Sequence, residues 1–190
     1  MTIKDLVIKN RSCRCFDHSY TLTIEILREL VDIARLTPSA ANLQPLKYHL
    51  NVETSLNEKI FDCLAWAGYL EDWDGPTPDE RPSGYITILL DQKIKNEIDC
   101  DHGIAAQTIL LAAAERDIAG CIIASVNREK LRGLLKLPDH LKILLVIALG
   151  KAKEIIHLEE VRENGDIKYW RDEQQVHHVP KRKIEDIIIG

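Results

Sequence analysis

The stretch that most constrains this chain is Ile104–Ala114. There Ile104, Ala105, Ala106, Ile109, Leu110, Leu111, Ala112, Ala113 and Ala114 make a helix apolar almost all round. Such a helix must be buried, either in a core or in a subunit interface. Asp101 is placed to cap it, and it runs to about Asp117. Its small residues allow a neighbour to approach closely. A second constraint is Leu141–Leu149, a continuous apolar run that suits a central strand covered on both faces.

The remaining elements are arranged around these two. A short helix is predicted over Ile3–Lys9. A second helix starts at the cap Thr23, has Ile24, Leu27, Val31 and Ala34 on one face, and stops before Pro38. Thr37–Pro45 is then a loop. Tyr48, Leu50 and Val52 alternate with polar residues as in a half-buried strand. Ser55 and Glu58 form a capping box for a helix reaching about Ala67. Glu71–Gly84, with three prolines, two glycines and many acids, is a long surface loop of the kind that often serves as a lid. Tyr85–Asp91 and Ile118–Val126 are strands, and Asn127 caps a short helix that stops before Pro138. The charged tail carries a hairpin signal at Asn164-Gly165 and ends in an apolar strand or arm, Ile184–Ile189. Helices and strands alternate without a regular βαβ series. The expected class is α+β, a mixed sheet wrapped by helices in one domain spanning residues 1–190.

Five scattered cysteines form no disulfide framework and fit a reducing compartment. No apolar run approaches the ~18–20 residues that a bilayer requires. The first residues mix charge with aliphatics and lack a signal-peptide core, so the expected location is the cytoplasm, with no membrane partner. The net charge of −5 argues against a nucleic-acid partner, since phosphate affinity needs a cationic surface. The positive charge is nevertheless knotted at the two ends: Lys9, Arg11 and Arg14 near the start, Lys181, Arg182 and Lys183 near the finish. Either both knots are solvated charge, or they meet around one anion.

There is no G-x-G-x-x-G after a strand, no P-loop, no G-x-S-x-G and no H-E-x-x-H. Asp99, Cys100, Asp101 and His102 are adjacent residues that point in different directions, which disfavours a metal site. His177-His178 meets the same objection and reads as structural or surface. Two segments carry positive signals. In Asn10-Arg11-Ser12-Cys13-Arg14-Cys15-Phe16, two arginine forks and a hydroxyl suit a phosphate, with Phe16 as a core anchor. In Pro38-Ser39-Ala40-Ala41-Asn42-Leu43-Gln44-Pro45, two prolines stiffen a loop of small residues, and Ser39, Asn42 and Gln44 offer donors and acceptors to a heteroaromatic edge.

These two segments, in this order, resemble the nitroreductase family of flavoproteins. Asp101-x-Gly-Ile-Ala-Ala-Gln107 is similar to that family's central helix, Ile118–Ala124 to its next strand, Ile147–Gly150 to its last core strand, and Val179–Ile187 to its basic C-terminal segment. The resemblance implies an FMN-dependent oxidoreductase that takes hydride from NADH or NADPH and reduces nitroaromatic, quinone or similar acceptors in a ping-pong sequence. It implies a homodimer with two FMN sites at the interface and a swapped C-terminal arm. It places Arg11, Ser12 and Arg14 at the FMN phosphate, with one of Lys181, Arg182 and Lys183 beside them. Pro38, Ser39, Ala40, Asn42 and Gln44 would line the isoalloxazine from the other subunit. Ile123 and Ala124 would lie near the ring and Gly150 near the phosphate end. No acid–base pair is nominated, because the cofactor would carry the chemistry. Asn10 stands where many relatives have another arginine, and Leu46 where tryptophan is common. A flavin storage or sensing module, and a dehalogenating or flavin-fragmenting enzyme on the same fold, remain alternatives at this stage.

Overall fold

The computed structural model describes residues 1–70 and 72–190; Glu71, the first residue of the expected long loop, lies outside the described residues. In chain order the elements are α1 (Ile3–Lys9), β1 (Phe16–Asp17), α2 (Ile24–Ala34), β2 (Leu46–Asn51), α3 (Thr54–Phe61), β3 (Gly84–Asp91), α4 (Asp101–Glu115), β4 (Ala119–Ile123), α5 (Arg128–Leu135), β5 (Leu141–Ala152), β6 (Ile156–Glu160), β7 (Trp170–Arg171) and β8 (His177–Lys181). Short 3-10 turns occupy Ala40–Asn42, Pro78–Glu80 and Ile184–Asp186. The class is α+β, as expected.

The described residues form two sheets. In the larger, β5 is central: β3 pairs along one edge, β4 and β1 along the other, and β2 adds to β3. These ladders are antiparallel, and a single parallel bridge joins Ser12 to Gly120. The continuous apolar run thus becomes the strand that is covered on both faces. On one face Ile86, Ile88, Leu145 and Ile147 pack against Leu27 and Leu30 of α2 and Ala106, Ile109 and Ala113 of α4. On the other, Tyr85, Leu89, Val146 and Ala148 pack with Phe16, Ile60 from α3 and Leu131 from α5. Gly120 permits the close contact between α4 and β4: a Cβ there would lie 2.5 Å from Leu110 and 2.8 Å from the Ala148 carbonyl.

The smaller sheet has order β6-β8-β7, with β6 parallel and β7 antiparallel to β8. Aromatic rings and charge hold it together. His178 stacks on Trp170 at 4.2 Å between ring centroids. Its two ring nitrogens face Glu159 and Asp172, each at 3.1 Å. Trp170 Nε1 also donates to Glu159 at 3.1 Å. Glu154 joins this sheet to the core. Its carboxylate accepts from the Arg14 and Cys15 amides and pairs with Arg171 at 3.0 Å, with the two side chains only 4% and 13% exposed.

Several local expectations are corrected. The cap of α3 is Glu53, whose carboxylate accepts from the Ser55 and Leu56 amides, and not Ser55; the longer side chain reaches both amides from one residue earlier. That helix ends at Phe61 rather than near Ala67, because Leu64 is drawn into a bridge with Val126 and Ala67 takes φ 33°. Asp101 does not cap α4; Cys100 holds that position, and the Asp101 side chain turns to the Ser39 loop. α4 is not buried all round. A strip with Ile104 37% exposed, Gln107 exposed and Leu111 half-buried is left uncovered. The Asn164-Gly165 signal makes a turn, with Gly165 at φ 73°, but β6 takes β8 as its partner and no hairpin forms. Ile184–Ile189 is not a strand: it begins as a 3-10 turn, and Ile184, Ile187, Ile188 and Ile189 stand exposed. No helix among the described residues is long and apolar enough to cross a membrane.

Candidate functional site

The parallel bridge from Ser12 to Gly120 fixes the loop after α1 against the edge of the large sheet. Behind it Phe16 is fully buried, as its anchor role requires. Glu154 receives the amides of Arg14 and Cys15 and so sets the path of the loop. β8 runs past on the other side. The two ends of the chain therefore meet. A cleft of about 330 Å³ is lined by Asn10, Arg11, Ser12 and Arg14 from the first segment and by His177, Val179 and Lys181 from β8, with Gln107, Leu110, Ile122 and Tyr169 completing the wall. A second cavity of about 260 Å³ shares Arg14, Ile122 and Tyr169 with the first and continues along Ile123, Ala124 and Ser125 to Ala65–Gly68. One groove thus has a cationic end and an end with no charged side chain beyond Arg14, with Arg14 and Tyr169 at the waist.

Arg14 is held by several contacts. Its Nη1 donates to the Ser12 carbonyl at 3.2 Å and lies 3.4 Å from His177 Nε2, and the guanidinium sits 4.8 Å from the centroid of the Tyr169 ring. His177 is 1% exposed, and burial pushes its pKa down to about 4, so the ring is neutral at ordinary pH. Its Nδ1 is buried without a partner among the described residues. Arg11 turns back onto α1, donating to the Asn10 and Val7 carbonyls, while still forming part of the wall.

Not every nominated residue reaches the groove. Lys181 does, but Arg182 and Lys183 do not line it; Lys183 lies 3.9 Å from Glu160. Lys9 pairs with Asp117, just past the end of α4, and does not line the groove. Gly150 is buried in the sheet, where a Cβ would come within 2.9 Å of the Phe16 ring, so its lack of a side chain serves packing. Ile123 and Ala124 do line the uncharged end.

The Pro38–Pro45 loop forms a separate cavity of about 230 Å³, whose lining includes Pro38, Ser39, Gln44, Tyr48 and Asp101. Ser39 Oγ donates to Asp101 at 2.6 Å, and the Gln44 amide donates to Ser39 Oγ at 3.0 Å. The Ser39 hydrogen bond, ahead of any other favourable contact, holds the Asp101 carboxyl below its usual pKa and so keeps it charged. Above this anchor Ala41, Asn42 and Gln44 take φ of 51°, 55° and 51°. Left-handed backbone at a non-glycine residue carries strain, and such strain clusters at ligand-binding sites. Ala40, Ala41, Asn42 and Gln44 are exposed, and within one chain the loop does not line the Arg14 groove.

Sequence reasoning missed Ile122, Tyr169 and His177. Ile122 is 39% exposed between buried Cys121 and Ile123, so strand alternation alone puts it on the face opposite its neighbours. Tyr169 and His177 gave no signal of this kind, because only the fold of the small sheet carries them to the groove.

Comparisons with known proteins agree with this architecture. The Nitroreductase family profile matches residues 7–68 and 84–151. An oxygen-insensitive NADPH nitroreductase of Helicobacter acinonychis (strain Sheeba) is 39% identical over 57 residues, a stretch covering 30% of this chain and 27% of that protein. YodC of Bacillus subtilis (strain 168), which carries an NAD(P)H nitroreductase name, is 22% identical over 198 residues, covering 87% of this chain and 97% of that protein. The crystal structure of a nitroreductase family protein from Streptococcus pneumoniae TIGR4 superposes with a TM-score of 0.72 at 17% identity, over 100% of both chains. With the profile matched over most of its length and the same fold beneath it, the chain belongs to the Nitroreductase family.

Proposed function

We propose that this protein is an FMN-dependent NAD(P)H oxidoreductase, with the flavin laid along the Arg14 groove and its phosphate at the cationic end. The observation that carries the reading is the meeting of Arg11, Ser12, Arg14 and Lys181 from opposite ends of an acidic chain. A structure from Clostridium difficile R20291 with the same fold is described as an FMN-dependent nitroreductase. The residues present fit the group. Phosphate needs forked donors and positive charge, which these side chains offer. His177, buried beside Arg14 with an unpartnered Nδ1, lines the same end of the groove. Ile122, Ile123, Ala124 and Trp66, with backbone polar groups between them, give an uncharged wall for a flat ring.

When bound, the flavin supplies two-electron redox chemistry between NAD(P)H and an oxidised acceptor such as a nitroaromatic or a quinone. The protein's share is position and electrostatics. Arg14 and Lys181 neutralise the phosphate, and the groove excludes water from one face of the ring. A second copy supplies what one chain lacks: the Pro38–Gln44 loop, with Ser39, Ala40, Asn42 and Gln44, covers the ring edge from the partner. The uncovered strip on α4, the half-exposed Val7 and Ile8 of α1 and the exposed C-terminal isoleucines support this homodimer, since apolar surface of that extent favours a partner.

The test is direct. The purified protein is expected to be yellow, to bleach with NADH or NADPH under argon, and to recover its colour with a nitroaromatic or quinone. A protein that stays colourless after addition of FMN overturns the reading.

A further inference from the structure

We infer that His177, backed by Tyr169, is a positioning residue that aims Arg14 at the anionic end of the ligand. The inference rests on the proposed flavin site and adds residues that neither the motifs nor the family match contains, since that match ends at residue 151. It starts from a donor–acceptor constraint. A guanidinium has only donors, so the 3.4 Å contact between Arg14 Nη1 and His177 Nε2 requires a bare, accepting Nε2. The ring proton then sits on Nδ1, the nitrogen that has no partner among the described residues. A charged imidazolium would repel Arg14, whereas the neutral ring holds it.

Tyr169 completes the arrangement. Its ring lies 5.2 Å from that of His177 and 4.8 Å from the Arg14 guanidinium carbon. The phenol oxygen meets the Tyr69 amide at 3.4 Å, which ties the ring to the segment before the long loop. A free arginine samples many rotamers, and binding an anion requires that freedom to be given up. Here one face of the guanidinium lies on Tyr169 and one edge on His177, which leaves the remaining donors toward the groove that Ser12 and Lys181 share. Glu154, the carboxylate that holds this loop, is already taken by Arg171 and by the Arg14 and Cys15 amides, so it does not claim the guanidinium.

The test separates positioning from packing. His177→Phe keeps a ring against Tyr169 but has no acceptor. His177→Gln loses the ring and keeps an acceptor at the reach of Nε2. FMN and riboflavin are titrated into wild type and both variants by flavin fluorescence, with circular dichroism confirming that each is folded. Riboflavin lacks the phosphate. The expected result is that His177→Phe loses roughly ten-fold in FMN affinity, the scale of one hydrogen bond to a charged group, while riboflavin affinity stays within about two-fold. His177→Gln recovers most of that loss. If Phe retains FMN affinity, if Gln weakens it as much as Phe, or if both flavins weaken together, His177 is a packing residue and the inference fails. If wild type binds neither flavin, the proposed function fails separately. The ring-nitrogen NMR spectrum of the flavin-free protein then decides: a bare Nε2 that shifts in Arg14→Ala supports the inference, and a protonated Nε2 overturns it.

Discussion

The large sheet and the small sheet of this protein are built from different chemistry. β3 and β5 carry Ile86, Ile88, Val146, Ile147 and Leu149 into two apolar layers, closed by α2 and α4 on one face and by α3 and α5 on the other. β6, β7 and β8 are held by a tryptophan stacked on a histidine, two carboxylates flanking that histidine, and one buried arginine–glutamate pair. Burial of apolar area is nondirectional, and many residues share it. A polar network depends on a few well-placed partners, and removing one leaves another stranded. The groove lies where the two regions meet: the large sheet provides Ile122–Ala124, the small sheet His177 and Lys181, and Arg14 lies between them. Changes in the small sheet should therefore reach the ligand without unfolding the core.

The strongest challenge to this contrast is Glu154→Ala. It strands Arg171 and deprives two backbone amides of their acceptor, and breaking a buried pair in this way costs roughly 3–5 kcal/mol. Hydrogen exchange should accelerate in β7 and β8 and in the Arg11–Cys15 loop, while β3 and β5 stay protected. Uniform loss of protection would mean that the two regions form one cooperative unit. The matching change in the core is Ile109→Ala, at a fully buried position on α4. It should lower global stability in chemical denaturation by roughly 2–5 kcal/mol, with all probes moving together. A variant in which only the small sheet loosens would contradict the division.

A subtler effect comes from two adjacent histidines that titrate in opposite directions. The Asp172 hydrogen bond, with Glu159 after it, raises the His178 pKa above its usual value. Its stabilising contribution is complete below the unfolded-state value of about 6.5 and is lost as pH rises through the higher folded value. Burial lowers the His177 pKa to about 4. Because unfolding lets that ring bind a proton, stability falls as pH drops from about 6.5 toward 4. Histidine NMR titration should give one midpoint on each side of the ordinary value. Two midpoints on the same side would contradict the environments described for β8.

What the sequence made legible follows the same division. The periodicity of Thr23–Ala34, the unbroken run Leu141–Leu149 and the cap at Asn127 are local signals, and the structure uses them as they stand. The small sheet was not legible. Its parallel pairing of Ile156–Glu160 with His177–Lys181 is nonlocal, and β7 is two residues long, too short to carry a period. Asp101 shows how a correct residue acquired the wrong role: an aspartate at a helix start suits a cap, but Ser39, distant in sequence, claims its carboxylate. The role given to the two basic knots rested on the resemblance; of the three C-terminal cations, Lys181 is the one that lines the cleft beside Arg11 and Arg14.

The central claim, that the groove between the two sheets holds FMN by its phosphate, is tested most directly by comparing FMN and riboflavin binding in wild type and Arg14→Ala. Arg14 is half-buried against Tyr169, so a small stability loss is expected and the titration is done well below the melting temperature. The account predicts that FMN binding weakens by about 1.5–3 kcal/mol, the worth of a hydrogen bond to a charged group, while riboflavin binding is almost unchanged. Equal loss for both flavins would place Arg14 at the ring or the ribityl chain. No change for either would remove the phosphate from this groove and contradict the account.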